Sequence, residues 1–146
     1  MSHAPLTGHC HCGAIRVLFD PGRPVAELAF RACTCSFCRR HGAAYTSDPA
    51  GHLHIEAAPG AVNRYRFATE TADFLLCNEC GCYVGVTMET ETGLMGVLNV
   101  RGVDLPGFEG RSPEPMTFDD EPAEARAAGR KSRWTPAVFV EAQPNA

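Results

Sequence analysis

Eight cysteines carry most of the chemical information in this 146-residue chain. They fall in three clusters: Cys10-His-Cys12, Cys33-Thr-Cys35-Ser-Phe-Cys38 and Cys77-Asn-Glu-Cys80-Gly-Cys82. Cysteines one or two residues apart are poorly placed to bridge each other. Bridges between clusters belong to an oxidising compartment. The opening residues, Met1 to Gly8, lack a basic segment followed by an apolar run, so no secretory signal is expected. Metal binding is the reading that uses the spacing. Short C-x-C and C-x-x-C turns aim two thiolates at one point, and zinc takes four such ligands tetrahedrally. Iron–sulfur clusters also take cysteine, but these spacings match none of the ferredoxin patterns.

Two pairs, Cys10/Cys12 and Cys77/Cys80, make a closed four-thiolate site that ties a segment near the N-terminus to the second half of the chain. The middle cluster, Cys33, Cys35 and Cys38, supplies three thiolates and no obvious fourth protein ligand. Closed four-ligand sites are structural, whereas three ligands and an open position mark catalytic zinc. The competing arrangement closes the second site with Cys82 or with one of His9, His11 and His41. Cys82 opens the run Tyr83 to Met88 and reads as a small apolar residue packed in a strand. Two zinc ions per chain are therefore expected. Arg39, Arg40 and His41 follow Cys38 directly. Three thiolates around one Zn2+ carry a net negative charge, which those arginines offset. Arg39 and Arg40 are also candidate contacts for carboxylates of a bound ligand; the alternative reading leaves both simply solvated. His41 has the pKa class of a proton shuttle; the plainer reading is a packing or surface role.

The elements that position these clusters read as short strands. Ala14 to Phe19 alternates, with Ile15, Val17 and Phe19 on one face. Asp20 to Pro24 is a turn, and Glu27 to Arg31 a short strand that delivers Cys33. Ser36 to Gly42 forms a helical turn, followed by a strand over Ala43 to Thr46. His52 to Glu56 alternates strictly, so His52 and His54 face water. Asn63 to Phe67 and Asp73 to Leu76 read as paired strands, the second delivering Cys77. Tyr83 to Met88 and Leu94 to Val100 form a hairpin around Thr90 to Gly93. Gly102 to Glu121 is rich in glycine, proline and acid and reads as loop. Asp120 and Pro122 signal a helix start, with a helix over Glu124 to Ala128 stopped at Gly129. Trp134 to Pro136 and Val138 to Val140 dock the tail on the body. The expected architecture is one mainly β domain over 1–146, with the motifs in about 8–100 and a loop-rich part from about 101.

Composition narrows the function classes. Apolar residues make up 45% and charged residues 21%, an ordinary globular balance. No apolar stretch approaches the roughly 18 residues of a membrane span. The formal charge is −4, and thiolates around zinc make it more negative, which argues against a nucleic-acid partner. Twelve arginines stand against one lysine, Lys131. Coding bias accounts for that skew; the functional reading is bidentate recognition of carboxylates.

Three stretches in this order resemble the glutathione-dependent formaldehyde-activating enzyme family, also called Gfa-like or centromere protein V-like: Gly8-His-Cys-His-Cys-Gly-Ala14, Cys33-Thr-Cys-Ser-Phe-Cys-Arg-Arg-His-Gly42 and Cys77-Asn-Glu-Cys-Gly81. The resemblance runs from about residue 8 to about residue 100. It implies a β-rich Mss4-like fold, antiparallel sheets carrying zinc-binding cysteine knuckles. It also implies structural zinc on Cys10, Cys12, Cys77 and Cys80, and catalytic zinc on Cys33, Cys35 and Cys38. The implied activity joins formaldehyde to glutathione, giving S-hydroxymethylglutathione, as a carbon–sulfur lyase. Cys82 and the arginine-rich stretch after Cys38 depart from the family pattern. The expected protein is thus a cytoplasmic zinc enzyme whose partner is a small thiol such as glutathione, with no nucleic-acid or membrane partner. The competing reading is a zinc-stabilised, non-catalytic protein-binding module of the same fold.

Overall fold

The computed structural model describes residues 4–67, 70–116 and 123–142. Its strands are β1 (Leu6–His9), β2 (Ile15–Asp20), β3 (Arg31–Cys33), β4 (Tyr45–Thr46), β5 (His52–Ala57), β6 (Val62–Tyr65), β7 (Asp73–Cys77), β8 (Tyr83–Thr90), β9 (Gly93–Asn99), β10 (Glu114–Met116) and β11 (Thr135–Glu141). Among the described residues three α-helices interrupt them: α1 (Ser36–His41), α2 (Val100–Val103) and α3 (Ala123–Arg133). The protein is mainly β with an Mss4-like fold, as the resemblance implied. The sheet is mixed rather than wholly antiparallel, because β10 runs parallel to β3 and β11 parallel to β5.

Alternation decides the first face. In β2 and β5 every second residue is buried, and the antiparallel register sets Val17 opposite Ile55 and Phe19 opposite Leu53. Each such side chain contributes about 1.5–3 kcal/mol when fully buried. His52 and His54 are exposed, as expected from the pattern. This cluster also takes in Leu75, Val84 and Leu98, together with Cys10 and Cys77. A second cluster gathers Cys38, Tyr45, Phe74, Tyr83, Val86 and Trp134. Each cysteine group therefore rests on its own apolar cluster. A β-bulge separates the two: Leu75 pairs with Gly85, yet Leu76 pairs with Tyr83. The extra residue, Val84, turns into the first cluster, while Tyr83 and Val86 join the second.

β11 joins the two halves of the sheet. Thr135 and Pro136 pair with β9, and Ala137–Glu141 pair with β5. The tail docks as expected, with Trp134 buried. Three readings differ from the structure. Pro24 starts a 3-10 turn over Val25–Glu27, so the expected strand at Glu27 begins only at Arg31. The expected loop-rich C-terminal part contains β10, α3 and β11. Gly129 does not stop α3, which runs on to Arg133. Glycine costs a helix about 1 kcal/mol, and packing by the following turn outweighs that. The expected helix start at Asp120 and Pro122 lies outside the described residues.

Candidate metal centres and the pocket beside them

The first group is built from two turns of the same design. Cys10 and Cys12 lie between β1 and β2, where the Gly13 N–H donates to the Cys10 carbonyl at 3.0 Å. Cys77 ends β7, and the Gly81 N–H donates to its carbonyl at 2.9 Å. Both glycines are left-handed, with φ of 83° and 80°. Backbone N–H groups also point at sulfur: Ile15 donates to Cys10 Sγ and Glu79 to Cys77 Sγ, each at 3.3 Å. The four Sγ atoms of Cys10, Cys12, Cys77 and Cys80 lie within 4.8 Å of one another. Cys12 Sγ is 3.8 Å from Cys10 Sγ and 3.7 Å from Cys77 Sγ. A tetrahedron with zinc–sulfur bonds of about 2.3 Å has edges of about 3.8 Å, so this donor set fits zinc. Cys80 and Cys12 are shifted in opposite directions. Burial opposes ionisation of Cys80, but N–H groups of Cys82 and Cys12 and the Cys77 thiol bring it to about 6. Cys12 is pushed up to about 12: the Ala14 N–H favours its thiolate, but burial and the neighbouring thiols outweigh that.

The second group comes from consecutive elements. Cys33 closes β3, Cys35 caps the N-terminus of α1, and Cys38 sits in its first turn. The Cys35 N–H donates to Cys33 Sγ at 3.5 Å and the Cys38 N–H to Cys35 Sγ at 3.4 Å. Gly42, left-handed at φ 58°, ends the helix and returns the chain to β4. The three Sγ atoms lie within 4.8 Å of one another, and among the described residues no fourth cysteine, histidine or carboxylate joins them. Bonds from Cys33 and Cys38 lower Cys35 to about 2, whereas bonds from Cys33 and Cys35, together with burial, push Cys38 up. Cys38 Sγ lies 2.8 Å from the Tyr45 hydroxyl, which lies 2.6 Å from that of Tyr83. Cys82 belongs to neither group and packs against the first apolar cluster. His41 is exposed, its ring 4.6 Å from Phe37.

A pocket of about 240 Å³ opens beside the second group. Cys33, Cys35 and Cys38 line one side of it, and Phe67, Phe74, Val86, Val97 and Trp134 form an apolar wall. Among the described residues its charged lining is Arg31, Arg130 and Arg133. Arg39 and Arg40 are exposed and do not line it. The helix accounts for this: successive residues turn by 100°, so a helix that aims Cys38 inward carries Arg39 and Arg40 around to solvent. Sequence reasoning missed Arg31, Tyr45, Arg130 and Arg133. Two local signals point to some of them. Arg31 stands two residues before Cys33 on one strand, and Arg130, Arg133 and Trp134 have i, i+3, i+4 spacing.

The chain is similar to known proteins. The crystal structure of a Rhodobacter sphaeroides protein, a structural-genomics target, is 28% identical, with a TM-score of 0.54 over 77% of this chain and 99% of that one. The family described as glutathione-dependent formaldehyde-activating enzyme matches residues 5–107, a span that contains both cysteine groups but not α3 or β11. On that match, which covers well over half of its length, the chain belongs to the glutathione-dependent formaldehyde-activating enzyme family.

Proposed function

We propose that the protein is a zinc-dependent enzyme of carbon–sulfur chemistry, joining a glutathione-like thiol to a small aldehyde and splitting the adduct in reverse. The observation that carries this is the three-cysteine group with no fourth ligand among the described residues, opening on a pocket. Family membership supports the same class of activity. Cys10, Cys12, Cys77 and Cys80 would hold a structural zinc, and Cys33, Cys35 and Cys38 a catalytic one. Zinc bound at the second group is a Lewis acid that favours thiolate over thiol in its coordination sphere.

The chain's own residues supply the rest. In the forward direction the thiol sulfur bonds to the aldehyde carbon, and the proton that leaves sulfur ends on the former carbonyl oxygen. N–H groups of Cys35 and Cys38 and the Tyr45 hydroxyl hold the cysteine sulfurs in place. The wall of Phe67, Phe74 and Trp134 gives the reacting atoms an apolar surround. All eight cysteines are free, a state that suits a reducing cytoplasm, and no described helix is long and apolar enough to cross a membrane. Exchange spectroscopy by NMR on glutathione with formaldehyde tests the reading. Zinc-loaded protein should accelerate exchange between free thiol and adduct, and Cys35→Ser should abolish the acceleration. Exchange at the uncatalysed rate with loaded wild type would overturn it.

A further inference from the structure

The pocket beside Cys33, Cys35 and Cys38 has an apolar wall, and three neighbouring strands build its floor. Phe74 of β7 pairs with Val86 of β8, and Val86 pairs with Val97 of β9, so the three side chains stand in one row across the sheet. All three are buried, in the same apolar cluster as Cys38 and Tyr45. The half-buried Phe67 sets its ring 4.5 Å from that of Phe74. The buried Trp134 lines the same pocket. A floor fixed on three paired strands holds its shape better than one carried on loops.

The size and chemistry of this wall select what lies against it. Formaldehyde has one carbon and one oxygen, and carries no group to lay there. A glutathione-like thiol is polar beyond its sulfur. Its amides and carboxylates would lose water against phenyl and valyl groups without gaining a hydrogen bond. An apolar group gains by leaving water at the same place. The volume of about 240 Å³ exceeds the roughly 150 Å³ of an apolar cavity that takes up benzene. A phenyl-sized group therefore fits, with room for the carbonyl it carries. The rings of Phe67, Phe74 and Trp134 favour a flat partner through offset or edge-to-face contact.

We infer that this wall seats the apolar substituent of the aldehyde, so that the preferred aldehyde bears a group of about phenyl size rather than being formaldehyde. The inference rests on the thiol–aldehyde reading given above and narrows it. The step stays an addition. The sulfur–carbon bond forms, the carbonyl π bond opens, and the thiol proton ends on oxygen, with no oxidant or reductant. Val97 becomes a specificity-determining residue, since a larger side chain in the floor takes the space of the ring.

Two readouts on the zinc-loaded full chain test this, one of them free of catalysis. Trp134 is the only tryptophan in the chain, so its fluorescence reports occupancy of the pocket. The probes are benzyl alcohol and methanol, unreactive counterparts of benzaldehyde and formaldehyde. Benzyl alcohol should shift the emission saturably, with a half-effect concentration at least about ten-fold below that of methanol. Exchange spectroscopy on glutathione with each aldehyde, every rate divided by its uncatalysed rate, should favour benzaldehyde by about ten- to hundred-fold, the range that burial of one phenyl group supplies. Val97→Phe should shrink both preferences. A fluorescence response no tighter for benzyl alcohol than for methanol would overturn the inference. Acceleration of formaldehyde equal to or above that of benzaldehyde would overturn it too, and leave the thiol–aldehyde reading standing. Acceleration of neither aldehyde, with benzyl alcohol still preferred, would instead overturn that reading, the pocket then being an apolar binding site without that chemistry. Both preferences are read on wild type, so a Val97→Phe protein that fails to fold leaves the test intact. A folded one with wild-type preferences would overturn the placement.

Discussion

The Tyr45 hydroxyl has two close neighbours, Cys38 Sγ at 2.8 Å and the Tyr83 hydroxyl at 2.6 Å, and all three residues are buried. Burial pushes both tyrosines up, so both keep their protons through neutral pH and one of them is available to sulfur. Tyr45→Phe removes that donor and strands the Tyr83 hydroxyl. It should lower stability by about 1–3 kcal/mol and make the second group surrender its metal to a chelator sooner than in wild type, the first group holding as before. A melting curve and a timed chelator competition read both effects. Cys82→Ala should retain both metals, since Cys82 joins neither sulfur group; elemental analysis of the purified variant checks it. At this scale the grouping of the cysteines was legible because each group is assembled largely by turns of two to four residues, which spacing encodes. The pocket arginines were not singled out, because Arg31 on β3 and Arg130 and Arg133 on α3 come to one pocket through the docking of the tail, where Ser47 links Arg31 to the Arg133 carbonyl.

Among the elements, the turn after β4 is held by a buried carboxylate. Asp48 accepts from the Gly22 N–H at 2.9 Å, the Ala50 N–H at 3.0 Å and Arg23 at 3.1 Å, while its own N–H donates to Thr135 Oγ1 at 2.8 Å. Burial opposes the charge, but the Ala50 and Gly22 N–H groups and Arg23 hold the carboxyl below the usual range. A carboxyl depressed in the folded state adds stability that is fully present above its unfolded value of about 3.9 and is lost as pH falls through the lower folded value. Acid unfolding of wild type should therefore steepen below about pH 4, and Asp48→Asn should flatten that limb and cost about 1–3 kcal/mol at pH 7; denaturant melts across pH measure this. A close approach sets a second test: a Cβ on Gly102 would stand 1.9 Å from the Tyr83 carbonyl. Gly102→Ala should destabilise by more than about 1 kcal/mol and displace Tyr83, which its near-UV circular dichroism would register. The strands were legible where one face is buried, as in β2 and β5, because alternation is then strict. β10 was not: Glu-Pro-Met has no alternation to read, and β3 recruits it through backbone bonds.

For the whole molecule, the two cysteine groups sit differently in the chain. The first joins the β1–β2 turn to the end of β7 and rests on the larger cluster, whereas the second is built from one stretch, Cys33 to Cys38. Metal held by distant segments contributes folding free energy directly. Cys77→Ser should thus lower the melting temperature of the whole protein, and Cys35→Ser should leave it closer to wild type; equal losses would make the second group structural too. The fold class was legible through the resemblance of the cysteine motifs, and the mixed sheet was not, since β11 and β10 pair in parallel with strands far away in sequence. The central claim is that a thiol's sulfur comes to the Cys33, Cys35 and Cys38 group. Cobalt(II) in place of zinc gives sulfur-to-metal absorption that grows with each sulfur bound. Glutathione added to the cobalt-loaded protein should intensify that band and S-methylglutathione should leave it unchanged, with Cys35→Ser abolishing the response. An unchanged band on saturating glutathione, with both groups loaded, would contradict it.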